Sequence, residues 1–321
     1  MRYRDFIVSL VGPCLALSLV ACDGGKPATT AGGDPRPARE KPLVVATTPM
    51  VGDLVRSIGG DRIDLVVLIP PGTDPHLWTP TRNDVLQVLD ADAVFMNGLM
   101  LEGRAGDSFA RVEISGRPVV RIAETLPKAQ LLTDTSNPSH FDPHIWMDPI
   151  LWGKTAPPVA ELLVRIMPEH RQDFESNAAR YIERAKAIDT ACAQMLGAIP
   201  ADMRELVSAH DAFHYFGRRF GLEVRAIQGL STESEASIAD IENLVAIISA
   251  RKIPVAFIET TVSDRTVRAL VEGCASIGHE LAVGPPLYSD SLGPAGTPEA
   301  TWEGMLLHNA RVISQSLGGN R

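Results

Sequence analysis

RQDFESNAARYIERAKAIDTACAQMLGAIP, residues 171–200, is the most regular stretch of the chain. Phe174, Ala178, Tyr181, Ala185, Ile188, Cys192, Met195 and Ile199 recur at alternating steps of four and three, which lays one unbroken apolar stripe along a single helical face. Pro168 stands just before this run and Pro200 just after it, where a helix tolerates a proline at its start and stops ahead of one. The spacing predicts a helix of about 29 residues, a rod on the order of 40 Å. Such a rod can lie against two bodies at once and hold them in a nearly fixed relation. A self-contained helical hairpin or a coiled-coil seam would carry the same stripe, but no further heptads follow Pro200.

Working outward, short β-branched runs alternate with amphipathic stretches on both sides of this helix. Before it come LVVAT (43–47) and PMVGDLVRSIGG (49–60), IDLVVLIP (63–70) and a helix over about 83–90, then AVFMNG (93–98) and VVRIA (119–123). After it the pattern restarts with ELVSA (205–209), the helix DAFHYFGRRFG (211–221), EVRAI (223–227), a helix over about 237–251, and PVAFIE (254–259). A helix VSDRTVRALVEGCASIG (262–278), ELAVG (280–284) and a last helix over about 298–317 complete it. Alternation of this kind implies parallel strands with crossover helices. The expected fold is α/β: two similar lobes, residues 43–150 and 200–321, joined through connecting helices in 151–199, the long one included.

A length of 321 residues fits two such lobes. Thirty Lys and Arg against 39 Asp and Glu give a net charge of −9, so there is no basic surplus to exchange for counterions on a phosphate backbone, and nucleic acid is not an expected partner. Four cysteines without a C-x-x-C pair provide neither a disulfide framework nor a thiolate zinc cage. Any metal must be held by histidine and carboxylate.

The N-terminus sets the compartment. Arg2 and Arg4 precede an apolar run from Phe6 to Val20, too short to span a bilayer comfortably, so residues 1–21 read as an export signal. Leu19-Val20-Ala21-Cys22 resembles a bacterial lipobox, which makes Cys22 the first mature residue and the site of lipidation. Asp23 resembles the inner-membrane retention signal of Gram-negative lipoproteins. With Arg2, Arg4 and Asp5 removed, 28 basic and 38 acidic residues remain, a net charge of −10. Residues 22–42 comprise this cysteine and a Gly-, Pro- and Thr-rich segment with almost nothing to bury, expected to act as a flexible tether. Cys192 and Cys274 are expected to be buried free thiols rather than a disulfide.

Three histidines fall where strands should end and loops begin: His76 in GTDPHLW (72–78), His144 in DPHIWMDP (142–149) and His210 in SAHDAF (208–213). Ligands of open α/β sheets gather outside the carboxyl ends of the strands. Asp-Pro-His occurs twice, and proline stiffens the loop that aims each imidazole. Trp78 and Trp146 are candidates to wall such a site from water, and Asp290 in LYSDSLG (287–293) is the candidate fourth donor. Asp74, Asp142 and Asp211 are candidates to orient the imidazole rings. His170, His279 and His308 are expected to be solvated.

At these residues the chain resembles the zinc- and manganese-binding solute-binding lipoproteins of bacterial ABC metal importers, also described as metal-binding adhesin-type lipoproteins. The matching stretches are GTDPHLWTPT (72–81), NGLMLEG (97–103), DPHIWMDP (142–149), SAHDAFHYFGRRFGL (208–222), IET (258–260) and LYSDSLG (287–293). The resemblance implies two α/β lobes joined by one long helix, a metal site in the interlobe cleft, and His76, His144, His210 and Asp290 as ligands. The chain departs from the family at Thr79, where Glu is usual, and lacks the long His-rich loop of many zinc-type members. His140, in TSNPSHFDPH, is left as a candidate accessory ligand. His210 points towards Zn2+, since manganese-type members commonly carry Glu there, although Mn2+ also fits the Asp290 motif. Three neutral imidazoles and one carboxylate suit tetrahedral zinc and supply fewer oxygens than manganese favours.

The expected function is therefore extracytoplasmic capture of Zn2+, or Mn2+, by a monomer anchored to the cell membrane through lipid on Cys22, on the periplasmic side of the inner membrane in a Gram-negative cell. Delivery is to an ABC permease with its cytoplasmic ATPase, and no enzymatic activity is expected. One rival is a zinc-dependent metallohydrolase using HDAFH (210–214), whose H-x-x-x-H spacing imitates a zincin. It has Asp where the general-base Glu belongs, and His210 is expected to end a strand rather than lie in a helix. The other rival, a surface adhesin or interaction lipoprotein, makes no residue-level prediction of its own.

Overall fold

The computed structural model describes residues 39–318, apart from 104, 107–108, 110–115 and 135–136. The expected export signal, Cys22 and most of the expected tether lie outside the described residues. Two four-stranded sheets form, each wholly parallel. The first contains β1 (Leu43–Ala46), β2 (Asp64–Val67), β3 (Ala93–Met96) and β4 (Val119–Arg121), in the order β2-β1-β3-β4. The second repeats that order as β6-β5-β7-β8, with β5 (Glu205–Ser208), β6 (Glu223–Ala226), β7 (Val255–Glu259) and β8 (Ala282–Leu287). In both sheets the order reverses beside the first strand, and the carboxyl ends at that reversal are where loops can open a crevice.

The crossovers follow from local signals. Thr48 caps α1 (Pro49–Gly59) by accepting the Val51 amide, and Pro49 starts the helix. Thr81 with Asp84 and Ser237 with Asp240 form reciprocal capping boxes on α2 (Arg82–Asp90) and α7 (Ile238–Arg251). Between the sheets the chain runs through α3 (Pro149–Gly153), α4 (Ala156–Ile166) and α5 (Arg171–Gly197). After β5 come α6 (His214–Phe220), α7, α8 (Arg265–Ser276) and the C-terminal α9 (Trp302–Gly318).

Helix α5 is the rod expected from residues 171–200, at 27 residues and about 40 Å. Its buried stripe is Phe174, Ala178, Tyr181, Ala185, Ile188, Cys192 and then Leu196 in place of Met195. The exchange has a simple cause. A straight helix drifts by roughly 20° per heptad against a seven-residue repeat, so after three heptads the inward face has moved on by part of a residue. The core around α5 is continuous with both sheets, including Val44 and Phe95 of the first, Leu206 and Phe257 of the second, and Trp302, Leu306 and Ile313 of α9. Tyr181 of α5 stacks on Trp302 at 5.6 Å between ring centroids. Smaller clusters fill the outer faces, one around Val245 and Leu270 and one around Val88 and Phe109. Cys192 and Cys274 are buried free thiols, as expected.

Strand β8 is an edge of the second sheet and carries two exposed prolines, Pro285 and Pro286. Among the described residues no helix is long and apolar enough to cross a membrane.

Candidate metal centre

Four loops at the carboxyl ends of the sheets bring His76, His144, His210 and Asp290 together. The two Asp-Pro-His tripeptides do the same local work. Asp74 Oδ1 accepts the His76 backbone N–H and Asp142 Oδ1 that of His144, each at 2.9 Å, an Asx-type turn that fixes the histidine's backbone. Asp142 Oδ1 also lies 2.7 Å from His144 Nδ1. His210 follows β5 directly and is gripped by Glu259 at the end of β7: one carboxylate oxygen accepts its backbone N–H at 2.8 Å and the other lies 2.5 Å from Nδ1. With Nδ1 of both rings held by carboxylates, the Nε2 lone pairs of His144 and His210 are aimed at a common point.

One donor atom from each of the four residues can be chosen so that all lie within 4.8 Å of one another, and all four side chains are buried. Asp290 Oδ2 is 3.4 Å from His76 Nε2 and 3.1 Å from His210 Nε2, and Oδ1 is 3.4 Å from His144 Nε2. Zinc held by nitrogen and oxygen at about 2.0–2.1 Å gives a tetrahedron with edges of about 3.3–3.4 Å; the carboxylate–imidazole separations fit that edge, while the four donors together spread to within 4.8 Å. All three Nε2 atoms and both Asp290 oxygens lack a hydrogen-bond partner. Five converging, unpartnered, buried polar atoms would be costly without a bound cation or protons between them. Burial opposes the imidazolium at His210, but Glu259 and Asp290 overcome it and hold the ring's pKa well above the usual histidine range. Burial also opposes charge on Asp290, and the facing His210 and His144 rings hold its pKa well below the usual carboxylate range. Buried imidazoles and a carboxylate that face one another without other partners form a donor set that could hold a divalent metal ion.

Further buried polar groups hold these loops in place. Gly98, Leu99 and Met100 are successive residues with positive φ, a turn that points the amides of Asn97 and Gly98 at the Glu102 carboxylate, 2.6 Å and 3.2 Å away. Thr47 donates to the same carboxylate, and burial pushes the Glu102 carboxyl up despite these bonds. Asn97 in turn donates to the Pro143 carbonyl, next to His144. On the other side Tyr215 donates to the Asp142 carbonyl. A cleft of about 860 Å3 opens from His76 and is lined by His140, His214, Gln228 and Glu233.

Several sequence expectations need correction. Trp146 is buried with its ring edge-on to His144 at 5.2 Å, whereas Trp78 packs on Phe109 in the core of the first sheet and does not wall the site. Asp211 pairs with His214 at 2.7 Å rather than with a ring of the site, because the chain turns into α6 directly after His210. Asp74 reaches only the backbone of His76, and its other oxygen accepts the Thr232 hydroxyl from across the cleft. His140 is exposed, hydrogen-bonds Asn137 and lies outside the cluster of four. His308 and His279 are only partly exposed and bond the carbonyls of Pro286 and Ile253. Glu259, Glu102, Asn97 and Asn309 were not assigned positioning roles from the sequence. For the first three the only signal was their place in the family-like stretches IET and NGLMLEG.

Comparison with known proteins gives a consistent picture. The family described as "Zinc-uptake complex component A periplasmic" matches residues 44–316. The chain is 40% identical to the zinc-binding protein TroA of Treponema pallidum over 277 residues, covering 86% of this chain and 89% of that one. It is 36% identical to the manganese-binding lipoprotein MntA of Bacillus subtilis over 274 residues, covering 85% and 89%. The solved structure of the periplasmic zinc-binding protein TroA from Treponema pallidum superposes with a TM-score of 0.83 at 39% identity, covering 86% of this chain and 99% of that one.

Proposed function

The chain belongs to the zinc-uptake complex component A periplasmic family, and from that premise we propose that His76, His144, His210 and Asp290 are the ligands with which it captures its cargo. It is a solute-binding protein for zinc or manganese import by an ABC transporter. The observation that carries the ligand assignment is the gathering of one buried donor atom from each of four residues within 4.8 Å of one another, none with a hydrogen-bond partner. His76 is the one ligand of the four that lines the open cleft, so an incoming hydrated ion meets His76 first and sheds water as the fully buried His144, His210 and Asp290 close around it. Glu259 keeps Nδ1 of the His210 ring engaged while Nε2 donates to the ion.

Zinc is the preferred cargo. Three imidazoles and one carboxylate supply the four donors of a tetrahedral shell, and zinc outranks manganese for nitrogen donors. The relatives compared are named as binding proteins, and a four-donor shell with no open position gives no activated water; both support binding without catalysis. A permease with its ATPase receives the ion when docking distorts the shell; the 27-residue α5 favours small tilts over a wide hinge. Residues 1–21 are an export signal, Cys22 carries lipid, residues 23–42 tether the monomeric body to the outer face of the cell membrane, and the lobes divide at 43–150, 151–199 and 200–321.

Titration of the stripped soluble body, residues 23–321, with zinc and manganese tests this reading. One equivalent of zinc should bind, and ligand at 1,000 times its dissociation constant should stabilise the fold by about 4 kcal/mol. His76→Ala and His210→Ala should each abolish tight binding; stoichiometric affinity retained in both variants would overturn the ligand assignment.

A further inference from the structure

Helix α9 supplies no ligand, yet two residues on one of its faces hold the loops of two ligands. Trp302 and Asn309 are seven residues apart and therefore project to the same side. The Trp302 indole N–H donates to the Trp146 carbonyl at 2.9 Å, and the Trp146 indole N–H donates to the Ser289 carbonyl at 2.9 Å. One residue before Ser289, the Tyr288 backbone is clasped at both ends by the Asn309 amide: its N–H donates to Oδ1 at 3.0 Å and its carbonyl accepts from Nδ2 at 2.7 Å. These bonds close a ring that runs from α9 through Trp302, Trp146, Ser289, Tyr288 and Asn309 back to α9. Trp146 stands two residues after His144, and Tyr288 two residues before Asp290.

Trp302, Trp146, Ser289 and Asn309 are all fully buried. An asparagine at the centre of an apolar helix face costs free energy unless its amide is satisfied, and here both of its polar atoms are spent on the one backbone unit where β8 leads into the Asp290 loop. The next-door His308 adds a bond to the Pro286 carbonyl and an edge-on contact with the Tyr288 ring. The opposite attachment of α9 is to α5, through the Tyr181–Trp302 stack and the Ser314 hydroxyl, which donates to the Met195 carbonyl at 2.7 Å.

We propose that Asn309 is a positioning residue of the metal site: acting with Trp302, it sets where Asp290 stands relative to His144 and thereby how long the ion is retained. Beyond the three imidazoles of the site the Asp290 carboxylate has no hydrogen-bond partner, so outside the metal shell its place is fixed through its backbone. A shift of α9 along α5 moves that backbone and opens the shell from the Asp290 side. This inference rests on the assignment of Asp290 as a ligand.

The test is a double-mutant cycle on the soluble body, read as the zinc dissociation rate in stopped flow against excess chelator, with thermal melting of the metal-free proteins alongside. Asn309→Ala should speed dissociation by about tenfold or more. Asp290→Ala should speed it further, and in the Asp290→Ala background Asn309→Ala should change the rate by no more than about twofold. A purely structural asparagine would lower the melting temperature in both backgrounds and leave the rates unchanged or multiply them independently; either result overturns the proposal. If Asn309→Ala does not fold, Trp302→Phe, which keeps the ring and removes the N–H, takes its place in the cycle with the same pattern expected. An Asp290→Ala protein that releases zinc at the parent rate overturns the ligand assignment itself, separately from the role of Asn309.

Discussion

Replacing Glu259 by Gln isolates the charge that stands behind His210. The side chain keeps its length and shape, but one of its two acceptors becomes an amide that faces an N–H donor. In the parent protein the Glu259 carboxylate, fully buried, binds both the His210 backbone N–H at 2.8 Å and the ring Nδ1 at 2.5 Å. A hydrogen bond to a charged group contributes about 1.5–3 kcal/mol net. One such bond lost from the metal-bound state converts, at about 1.4 kcal/mol per decade, to a roughly 10- to 100-fold weaker affinity, which agrees with the usual cost of removing a partner of a metal-bound histidine. Competition against a chromophoric chelator at pH 8 measures the zinc affinity, and melting of the metal-free variant reports whether the fold survives. A folded Glu259→Gln protein that binds zinc within about threefold of the parent would refute the argument that this carboxylate tunes the ring.

Two further outcomes follow from groups away from the site. Burial pushes Asp53 up to about 6, against the Trp302 backbone N–H and the Arg184 and Arg56 charges that favour ionisation. A carboxyl raised in the folded state contributes most below its unfolded value of 3.8 and loses that contribution as pH rises through about 6. Asp53→Asn should therefore gain up to about 2–3 kcal/mol over the parent at pH 7–8 and nothing at pH 4, read from denaturant melts across that range; an equal gain at both pH values would rule the reasoning out. Cys192, its thiol pushed up to about 12 by burial, and Cys274 are inaccessible and unpaired. The native soluble body should resist a thiol reagent at pH 8 and yield two equivalents on unfolding without reductant, whereas yielding none on unfolding would mean that the two have paired.

What could be read from the chain was whatever repeats at short range. The α5 stripe and the β-branched runs are local periodicities, and both sheets formed from the expected segments. The three histidines were found because each follows a strand or a stiff Asp-Pro step, features spelled out within three or four residues. Their supporting groups are of another kind. Glu259 lies 49 residues from His210, and Asn309 is 21 residues from Tyr288; no spacing rule links such pairs, which meet only when β7 pairs beside β5 and α9 packs under the Asp290 loop. Asp211 misled for the same reason: adjacency to His210 suggested a partner for its ring, but the start of α6 turns it towards His214. The small shift from Met195 to Leu196 marks the limit of a strict seven-residue reading.

The two prolines of β8 bear on how such molecules share a surface. An outer strand normally shows a row of free N–H groups to any neighbour that can lie alongside it. Pro285 and Pro286 have no N–H to donate and sit exposed on that margin. Successive strand residues point their N–H groups to opposite sides, so one of the two prolines removes a donor from the free margin and shortens the run with which a neighbouring chain could pair.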